Sequence, residues 1–364
     1  MAKIKNIKFK LELTGNGIVN TEGTNKDLLY LLKEKCGRYI GQSATDNIIF
    51  GKRYITELNG SEQKVVYTKK DGTEVKQTHR DYLKISSECL RHAIFERDAE
   101  FKPTNLHSIP EIAMRYMASY QYIVRGDLLT KRNSTSFNKA SAISIVSAIE
   151  NGGSEITLDV HSCSGERTNN SFYYKEEIGD TKYFSEGFIN LSQLMFMSAD
   201  VIGGRQAVDT DWLMKGRLDK VFESVYGYVP YTKGYFCSNT QTYGDAMGEY
   251  GMKFHDNFIV YLVKESLKRI LDINIIKSKA YAKTSKLQIC LVENAGAMLD
   301  GDETWIDIKN YDDIEKLDFE VFNFYKECDG NEVESIREEI KKIAKEENGE
   351  ENKSEGKKGK KKDV

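Results

Sequence analysis

The 364-residue sequence lacks the cysteine and histidine spacings with which proteins hold zinc. Its six cysteines stand singly, with no two at a CxxC spacing, which argues against a zinc site and against a disulfide framework. The five histidines stand far apart, and none has a partner at the spacing of metal ligands. We therefore expect no bound metal.

Long apolar runs are also missing. No stretch approaches the roughly 20 apolar residues of a membrane-spanning helix. The N-terminal sequence MAKIKNIKFKLEL alternates lysine with apolar residues, whereas a secretory signal peptide has an uninterrupted apolar stretch there. Hydrophobic residues still make up 40% of the chain, enough for a sizeable core. These patterns predict a soluble, cytoplasmic protein without a membrane partner.

Signatures of the common nucleotide-dependent and hydrolytic enzymes are absent. The sequence contains no GxxxxGK[ST], no GxGxxG, no HExxH and no GxSxG. Asp300, Asp302 and Glu303 form DGDE, a spacing typical of cation loops, but the later ligands of an EF-hand do not follow. A solvated turn explains DGDE better, so we expect a protein that is not an enzyme and uses no cofactor.

Charge is distributed unevenly along a chain whose net charge is only -3. Residues 1–296 carry 40 Lys and Arg against 35 Asp and Glu, residues 297–352 carry 7 against 19, and residues 353–364 carry 6 against 2. A mildly basic body is therefore followed by an acidic segment and a lysine-rich tail. The body is the part that charge favours for binding a polyanion.

The periodicity of apolar residues predicts the order strand, helix, strand, strand, helix, strand within the body. Residues 4–13 alternate as a half-buried strand, SSECLRHAIFER (86–97) predicts a helix capped by Ser86 or Ser87, and another helix follows Pro110. This order matches the ferredoxin-like βαββαβ unit, an α+β fold. Its helices cover one face of the sheet and leave the other free, and similar sheets bind single-stranded RNA.

Long insertions and a C-terminal extension surround this core. Asp71-Gly72 lies between two strand-like runs and predicts a hairpin. A cap at Asp209 or Asp211 predicts one helix through Met214, Leu218 and Val225. The predicted divisions are a body at 1–296, an insertion at 15–85, a projecting β-hairpin at 155–198, an irregular excursion at 228–255, an acidic segment with one helix at 297–348, and a disordered lysine-rich tail at 349–364.

Four polar loops in the body carry cations beside glycine, asparagine, serine or tyrosine. Lys and Arg attract phosphate, side-chain hydroxyl and amide groups hydrogen-bond to it, and glycine lets backbone N–H groups come close. Nearby rings such as Tyr54, Phe137 and Tyr173 would suit stacking on unpaired bases. One such loop is usually a solvated turn, whereas four favour nucleic-acid binding. The loops are GKRY (51–54), the basic segment YIVRGDLLTKRNSTSFNKASAISI (122–145), GERTNN (165–170) and GGRQ (203–206).

Several stretches, taken in order, carry a resemblance to a known family. They are FKLELTGNG, SSECLRHAIF, VRGDLLTKRNSTSFNKASAISI, and ITLDVHSCSGERTNNSFYYKEEIG followed by KYFSEGFINL. Together they resemble the backbone subunit of class 1 CRISPR effector complexes of the Cascade type, the Cas seven-type proteins of the RAMP superfamily. The resemblance covers roughly residues 4–293, and the acidic segment and lysine tail depart from it.

The resemblance implies a hand-shaped protein with fingers at 15–85, a palm, and a β-hairpin thumb at 155–198. Such a protein is non-catalytic and polymerises with copies of itself along a guide RNA (crRNA), beside other subunits of the effector complex. It presents the guide bases for pairing with a target nucleic acid, so that specificity comes from base pairing. The implied RNA-binding residues are Arg91, Arg125, Lys131, Arg132, Asn138, Lys139, Arg167 and Arg205, and the implied contacts to the target strand are Lys52 and Arg53.

Two other functions remain open on the sequence. An RNA-processing nuclease on the same scaffold would need a general base near the phosphate, and only His161, near the thumb, is a candidate. A structural assembly protein, such as a phage tail or capsid subunit, would also suit repeated β-insertions and 21 tyrosines. Some relatives cut RNA with an aspartate near the first helix, but Asp27 and Asp46 match no such pattern, so we expect no cleavage.

Overall fold

The computed structural model describes twelve stretches of the chain and shows a mixed α+β architecture. The described residues are 3–17, 63–68, 74–79, 84–95, 110–129, 136–150, 157–164, 171–200, 205–239, 248–277, 280–293 and 304–338. The predicted helix after Asp27, the loop 51–54, the tip 165–170 and the tail 349–364 lie outside these residues.

The strands and helices of the described residues are numbered in chain order. The strands are β1 (Lys3–Ile4), β2 (Asn6–Asn16), β3 (Gln63–Thr68), β4 (Glu74–His79), β5 (Lys84–Ile85), β6 (Asp127–Leu129), β7 (Phe137–Lys139), β8 (Ile143–Ile145), β9 (Ala148–Glu150), β10 (Thr157–Ser164), β11 (Ser171–Ile178), β12 (Asp180–Asn190), β13 (Phe196–Ser198), β14 (Tyr231–Ser238), β15 (Glu249–Phe254), β16 (Asn274–Lys277), β17 (Ala280–Val292), β18 (Ile306–Ile308), β19 (Glu320–Val321) and β20 (Tyr325–Glu327). The helices are α1 (Ser87–Phe95), α2 (Pro110–Met117), α3 (Leu191–Met195), α4 (Thr210–Met214), α5 (Arg217–Tyr226), α6 (Asp256–Leu271) and α7 (Tyr311–Glu315), with a π-helical turn at Gln121–Arg125 and a last helical segment at 330–338.

An antiparallel central sheet organises the chain. Its strand order is β16-β17-β2-β12-β9-β5, with β8 also paired to β12 and β18 to β17. The first long strand, β2, is confirmed, because its alternation buries Ile7, Phe9, Leu11 and Leu13 on one face. It pairs with β12 along its whole length, and with β17 on the other side. Local alternation thus decides which face of the sheet enters the core.

Helices cover that apolar face. The backbone N–H of Cys89 donates to Ser86 Oγ at 3.3 Å, so Ser86 caps α1 as predicted. Leu90 and Ile94 of α1 and Leu262 of α6 belong to the same buried cluster as the inward residues of β2. The opposite face of β2 and β12 is left outside this cluster.

The projecting hairpin is shorter than predicted. Strands β10 and β11 pair antiparallel from Thr157↔Ile178 to Ser164↔Ser171, which supports a hairpin at 157–178. The following run, KYFSEGFIN, was included in the predicted hairpin at 155–198 but is β12, in the middle of the central sheet. It belongs there because Tyr183 and Ile189 alternate into the core.

A second, four-stranded sheet corrects the predicted excursion at 228–255. Its order is β13-β15-β14-β20, and β14 and β15 pair antiparallel from Tyr231↔Phe254 to Phe236↔Glu249. Rings that look like loop residues in the sequence are packed here, since Tyr231 and Phe254 both contact Phe222 at centroid distances of 5.1 and 5.9 Å. Tyr231, Phe236 and Phe254 of this run therefore belong to the core, whereas Tyr228 is exposed.

Residues 304–338, the described part of the predicted segment 297–348, contribute to both sheets instead of standing apart. Strand β18 extends the central sheet, β19 pairs parallel with β1, and β20 extends the second sheet. Arg337 forms a buried ion pair with Asp200, and Cys237 and Cys328 form a disulfide bond. The single cysteines argued against a disulfide framework and did not reveal this one bridge, because spacing along the chain does not report on pairs that meet 91 residues apart.

Candidate nucleic-acid interface

The first candidate cations, Arg91 and Arg125, lie together on the helix-covered side of the central sheet. Helix α1 carries Arg91, whose guanidinium donates to the Arg125 carbonyl oxygen at 3.3 Å. Both side chains are half-buried. The chain then turns at Gly126, which has φ +70° and lies against the backbone at Lys139. The contact therefore joins α1 to the start of the basic segment.

Two buried tyrosines hold this segment in place. Tyr116 donates its hydroxyl to Asp127 Oδ2 at 2.6 Å, and burial together with this hydrogen bond raises the Tyr116 pKa. Tyr122 donates to the Ala207 carbonyl oxygen at 2.6 Å, and burial raises its pKa as well. Both phenols stay neutral donors at physiological pH. The second bond ties the basic segment to the residues that follow Gly203-Gly204.

Asn138 and Arg205 also come together. Asn138 lies on β7, and its backbone N–H donates to the Gln206 carbonyl oxygen at 2.7 Å. Both Asn138 and Arg205 are exposed. Two polar loops that are separated in sequence thus form one surface, which continues toward Arg125 through the pairing of β6 with β7.

Lys139 has a different position from the one expected of a phosphate ligand. Its side chain is 5% exposed, and its Nζ donates to the Gln193 carbonyl oxygen at 2.6 Å and the Ala140 carbonyl oxygen at 3.3 Å. Burial lowers the Lys139 pKa to about 7. The physical reason is alternation in β7, which directs Phe137 and Lys139 inward and Asn138 outward. The ammonium therefore anchors α3 to the basic segment from inside.

The remaining candidates lie outside the described residues. Strands β6 and β7 enclose the stretch with Lys131 and Arg132, and Leu129 pairs with Phe137 at its base. Strands β10 and β11 likewise enclose the stretch with Arg167. The other two candidates there are Lys52 and Arg53.

A neighbouring cavity of about 320 Å³ contains residues that the sequence reasoning missed. Trp212, Lys215 and Arg217 line it together with Gln206, next to Asn138. The Trp212 ring lies 6.2 Å from Phe137, and Lys215 pairs with Asp211 at 2.7 Å. The signal was present in the sequence, since MKGR places two cations beside a glycine just as GKRY does.

The described residues contain no group of three His, Cys, Asp or Glu side chains that could hold a metal ion. In the same part of the chain, no helix is long and apolar enough to cross a membrane.

Two solved structures resemble this chain at a distance. One is a CRISPR RNA-guided surveillance complex, 11% identical, with a TM-score of 0.33 and coverage of 78% of this chain and 68% of that chain. The other is a pre-nicking CRISPR RNA-guided surveillance complex, 10% identical, with a TM-score of 0.32 and coverage of 78% of both chains. No curated protein matches. These likenesses are too weak to carry an argument.

The family match is much more extensive. Residues 3–313, most of the chain, match the family described as type I-Fv CRISPR-associated protein Cas7fv-like. The matched range begins at β1 and extends into α7, so it includes the central sheet and the basic segment. The chain therefore belongs to the Cas7fv-like family of type I-Fv CRISPR-associated proteins.

Proposed function

We propose that this protein is the guide-RNA-binding backbone subunit of a CRISPR surveillance complex. Copies of the chain line up along the guide, beside other subunits, and leave its bases free to pair with a target. The match of residues 3–313 to the Cas7fv-like family carries this proposal. The protein reads the shape and charge of the guide, base pairing reads sequence, and the subunit itself cuts nothing.

The geometry of the basic segment supports a grip on the guide backbone. The Arg91 guanidinium donates to the Arg125 carbonyl oxygen, and the backbone N–H of Asn138 donates to the carbonyl oxygen of Gln206, which follows Arg205 in the chain. Arginine and asparagine side chains are suited to phosphate oxygens. The full proposed set is Arg91, Arg125, Lys131, Arg132, Asn138, Arg167 and Arg205 at the guide, Lys139 holding the segment from inside, and Lys52 and Arg53 at the target.

The core is ferredoxin-like on this proposal. The strand order β17-β2-β12-β8, antiparallel throughout, is the order expected of a βαββαβ unit. Helix α1 precedes β8 in the chain, and α6 precedes β17, which are the helix positions that the unit requires. The β10–β11 hairpin leaves the sheet directly before β12 and takes the place of the thumb.

Assembly on RNA tests the function. We expect purified protein to carry nucleic acid and, when stripped and given guides of increasing length, to form complexes whose mass rises in steps with guide length. Light scattering during size-exclusion chromatography measures that mass, and the ultraviolet absorbance ratio reports bound RNA. Assembly without RNA would instead indicate a structural protein, and a discrete cleavage product would indicate a nuclease. Either result would refute the proposal.

A further inference from the structure

The central sheet has a second face, which points away from the helices. Its centre is given by the register, because Lys10 of β2 lies between Glu186 of β12 and Gln288 of β17. One step along the same face, Glu12 lies between Phe184 and Lys286. We call this surface the open sheet face. A cavity of about 470 Å³ lies on it, lined by Lys10, Phe184, Ile149 and Lys286 among others.

Aromatic and apolar side chains are exposed on this face. Phe184 is 42% exposed and Ile149 is 45% exposed, although both lie on strands of the main sheet. Trp305, just before β18, is half-buried, and the Lys10 ammonium lies 4.1 Å from its ring centroid. Phe188 is half-buried farther along β12. Large apolar groups gathered on an open sheet are typical of a binding surface, not of an ordinary solvated one.

The same face carries more positive than negative charge. Exposed lysines stand on each of the three neighbouring strands, and the acids among them are partly engaged. Ser285 Oγ donates to Glu12 Oε1 at 3.0 Å, and Gln288 Nε2 donates to Asp307 Oδ1 at 2.7 Å, an oxygen that also lies 3.8 Å from the Lys286 ammonium. The cations are Lys8, Lys10, Lys182, Lys283 and Lys286, and the acids are Glu12, Asp180, Glu186 and Asp307.

We propose that the open sheet face binds a single-stranded nucleic acid that is separate from the guide. Bases stack on Phe184 and Trp305, with Phe188 at the rim, and Lys10 and Lys286 meet the phosphates. Sheets that present rings on their central strands stack unpaired bases in this way, and flanking cations track the backbone. The inference rests on the proposed function for its assignment of the guide to the opposite side, where Arg91 lies on α1.

Charge decides between a nucleic acid and a protein as the occupant. Lysine is depleted at the centres of protein–protein interfaces, because an ammonium is costly to remove from water. Here Lys10 stands at the centre of the face, between β12 and β17 and against the Trp305 ring. A single nucleic-acid strand supplies phosphates for the lysines and flat bases for the aromatic rings, so it suits both kinds of side chain on this face.

The test uses the assembly already loaded with its guide. A fluorescent oligouridine unrelated to the guide is titrated into it, and anisotropy measures the binding. We expect Phe184→Ala and Trp305→Ala each to weaken this binding roughly 5- to 150-fold, the loss of one stacked base. Lys10→Gln and Lys286→Gln should each lower the salt slope by about 0.7. Tyr261→Ala, which removes a ring 48% exposed on α6, is the matched control and should change nothing.

Guide content and assembly mass are measured on the same preparations. If they stay unchanged while oligouridine binding falls, the proposal is supported. It is overturned if loaded wild-type assemblies do not bind oligouridine, or if the ring variants bind it as well as wild type does. Loss of guide or shortening of the assembly in Phe184→Ala would also overturn it, since the face would then belong to the guide site or to a contact between copies. If the wild-type protein never retains a guide, only the proposed function is refuted. Titrating oligouridine into the free protein would then still test whether the open sheet face binds single-stranded nucleic acid.

Discussion

At the scale of single residues, Lys139 shows how a basic side chain can serve the site without touching its ligand. Its burial lowers the pKa to about 7, while lysine in an unfolded chain keeps its ordinary value near 10.4. Between these values the unfolded state binds more protons than the folded state. The free energy of unfolding therefore rises with pH in this window, by at most about 1.4 kcal/mol per pH unit.

A Lys139→Met variant tests this coupling. We expect it to remove the rise in stability between about pH 7 and pH 10, because methionine has no proton to lose. Urea unfolding at several pH values measures the effect. Lys220→Met changes an exposed lysine on α5 and is the control, which should keep the wild-type slope. Identical slopes in the wild type and Lys139→Met would mean that Lys139 is solvated in the folded protein.

Gly126 is the second residue whose role depends on its backbone. It has φ +70°, and a Cβ there would overlap the carbonyl oxygen of Lys139. We expect Gly126→Ala to lower the free energy of unfolding by more than about 2 kcal/mol, since backbone strain of roughly 1 kcal/mol is joined by a steric clash. Gly227→Ala is a matched control, with φ +80° but no atom within 4 Å of its added Cβ. Equal losses measured by thermal unfolding would contradict the close approach.

At the scale of elements, the basic segment is held by its neighbours rather than by its own local structure. Tyr122 ties it to Ala207, and Arg91 on α1 ties it to Arg125. Residues brought together in this way should act as one phosphate-binding surface. Their effect should then appear in the salt dependence of RNA binding.

Arg125→Ala and Arg205→Ala should each reduce the slope of log affinity against log salt by about 0.7 for single-stranded RNA. The physical reason is that RNA binding releases fewer counterions when one cation no longer contacts a phosphate. Fluorescence titrations across a range of salt concentrations give the slope. Lys316→Ala removes an exposed cation just after α7 and should leave it unchanged. A slope unaffected by both arginine variants would remove the segment from the binding surface.

For single elements, the sequence predictions were correct where they rested on a helix cap or on the alternation of apolar residues within one strand. Ser86 caps α1, and the helix after Pro110 begins where proline predicted it. The predicted helix beyond Asp209 is instead two helices, since Gly216 has φ +64° and breaks it between α4 and α5. Periodicity alone overlooked the break, and Met214 is left 56% exposed.

At the scale of the whole molecule, the acidic C-terminal segment helps to join the two sheets. Arg337, on the helical segment at 330–338, reaches Asp200 just after β13 and donates to the Gly248 carbonyl oxygen at 2.6 Å. Both partners of the ion pair are less than 10% exposed. Removing one partner leaves a buried charge uncompensated, which is strongly destabilising.

We expect Arg337→Met to lower the free energy of unfolding by about 3–5 kcal/mol and to expose the last helix to protease. Urea unfolding and timed proteolysis followed by mass spectrometry measure the two effects. Glu334→Gln is the control, because Glu334 is the half-exposed partner of the same arginine and its loss should cost less than about 1 kcal/mol. Equal stability of Arg337→Met and wild type would mean that the segment is not anchored through this pair.

The sequence by itself determined β2, α1, the start of α2 and the loops rich in cations. Those features depend on alternation, capping and composition, which act over a few residues, as in β2 and α1. Only the tertiary structure decided which of these elements meet. It put Lys139 inside, placed Asn138 beside Gln206, and joined Cys237 to Cys328. These outcomes depend on contacts between residues far apart in the chain, whose free energy no local pattern encodes.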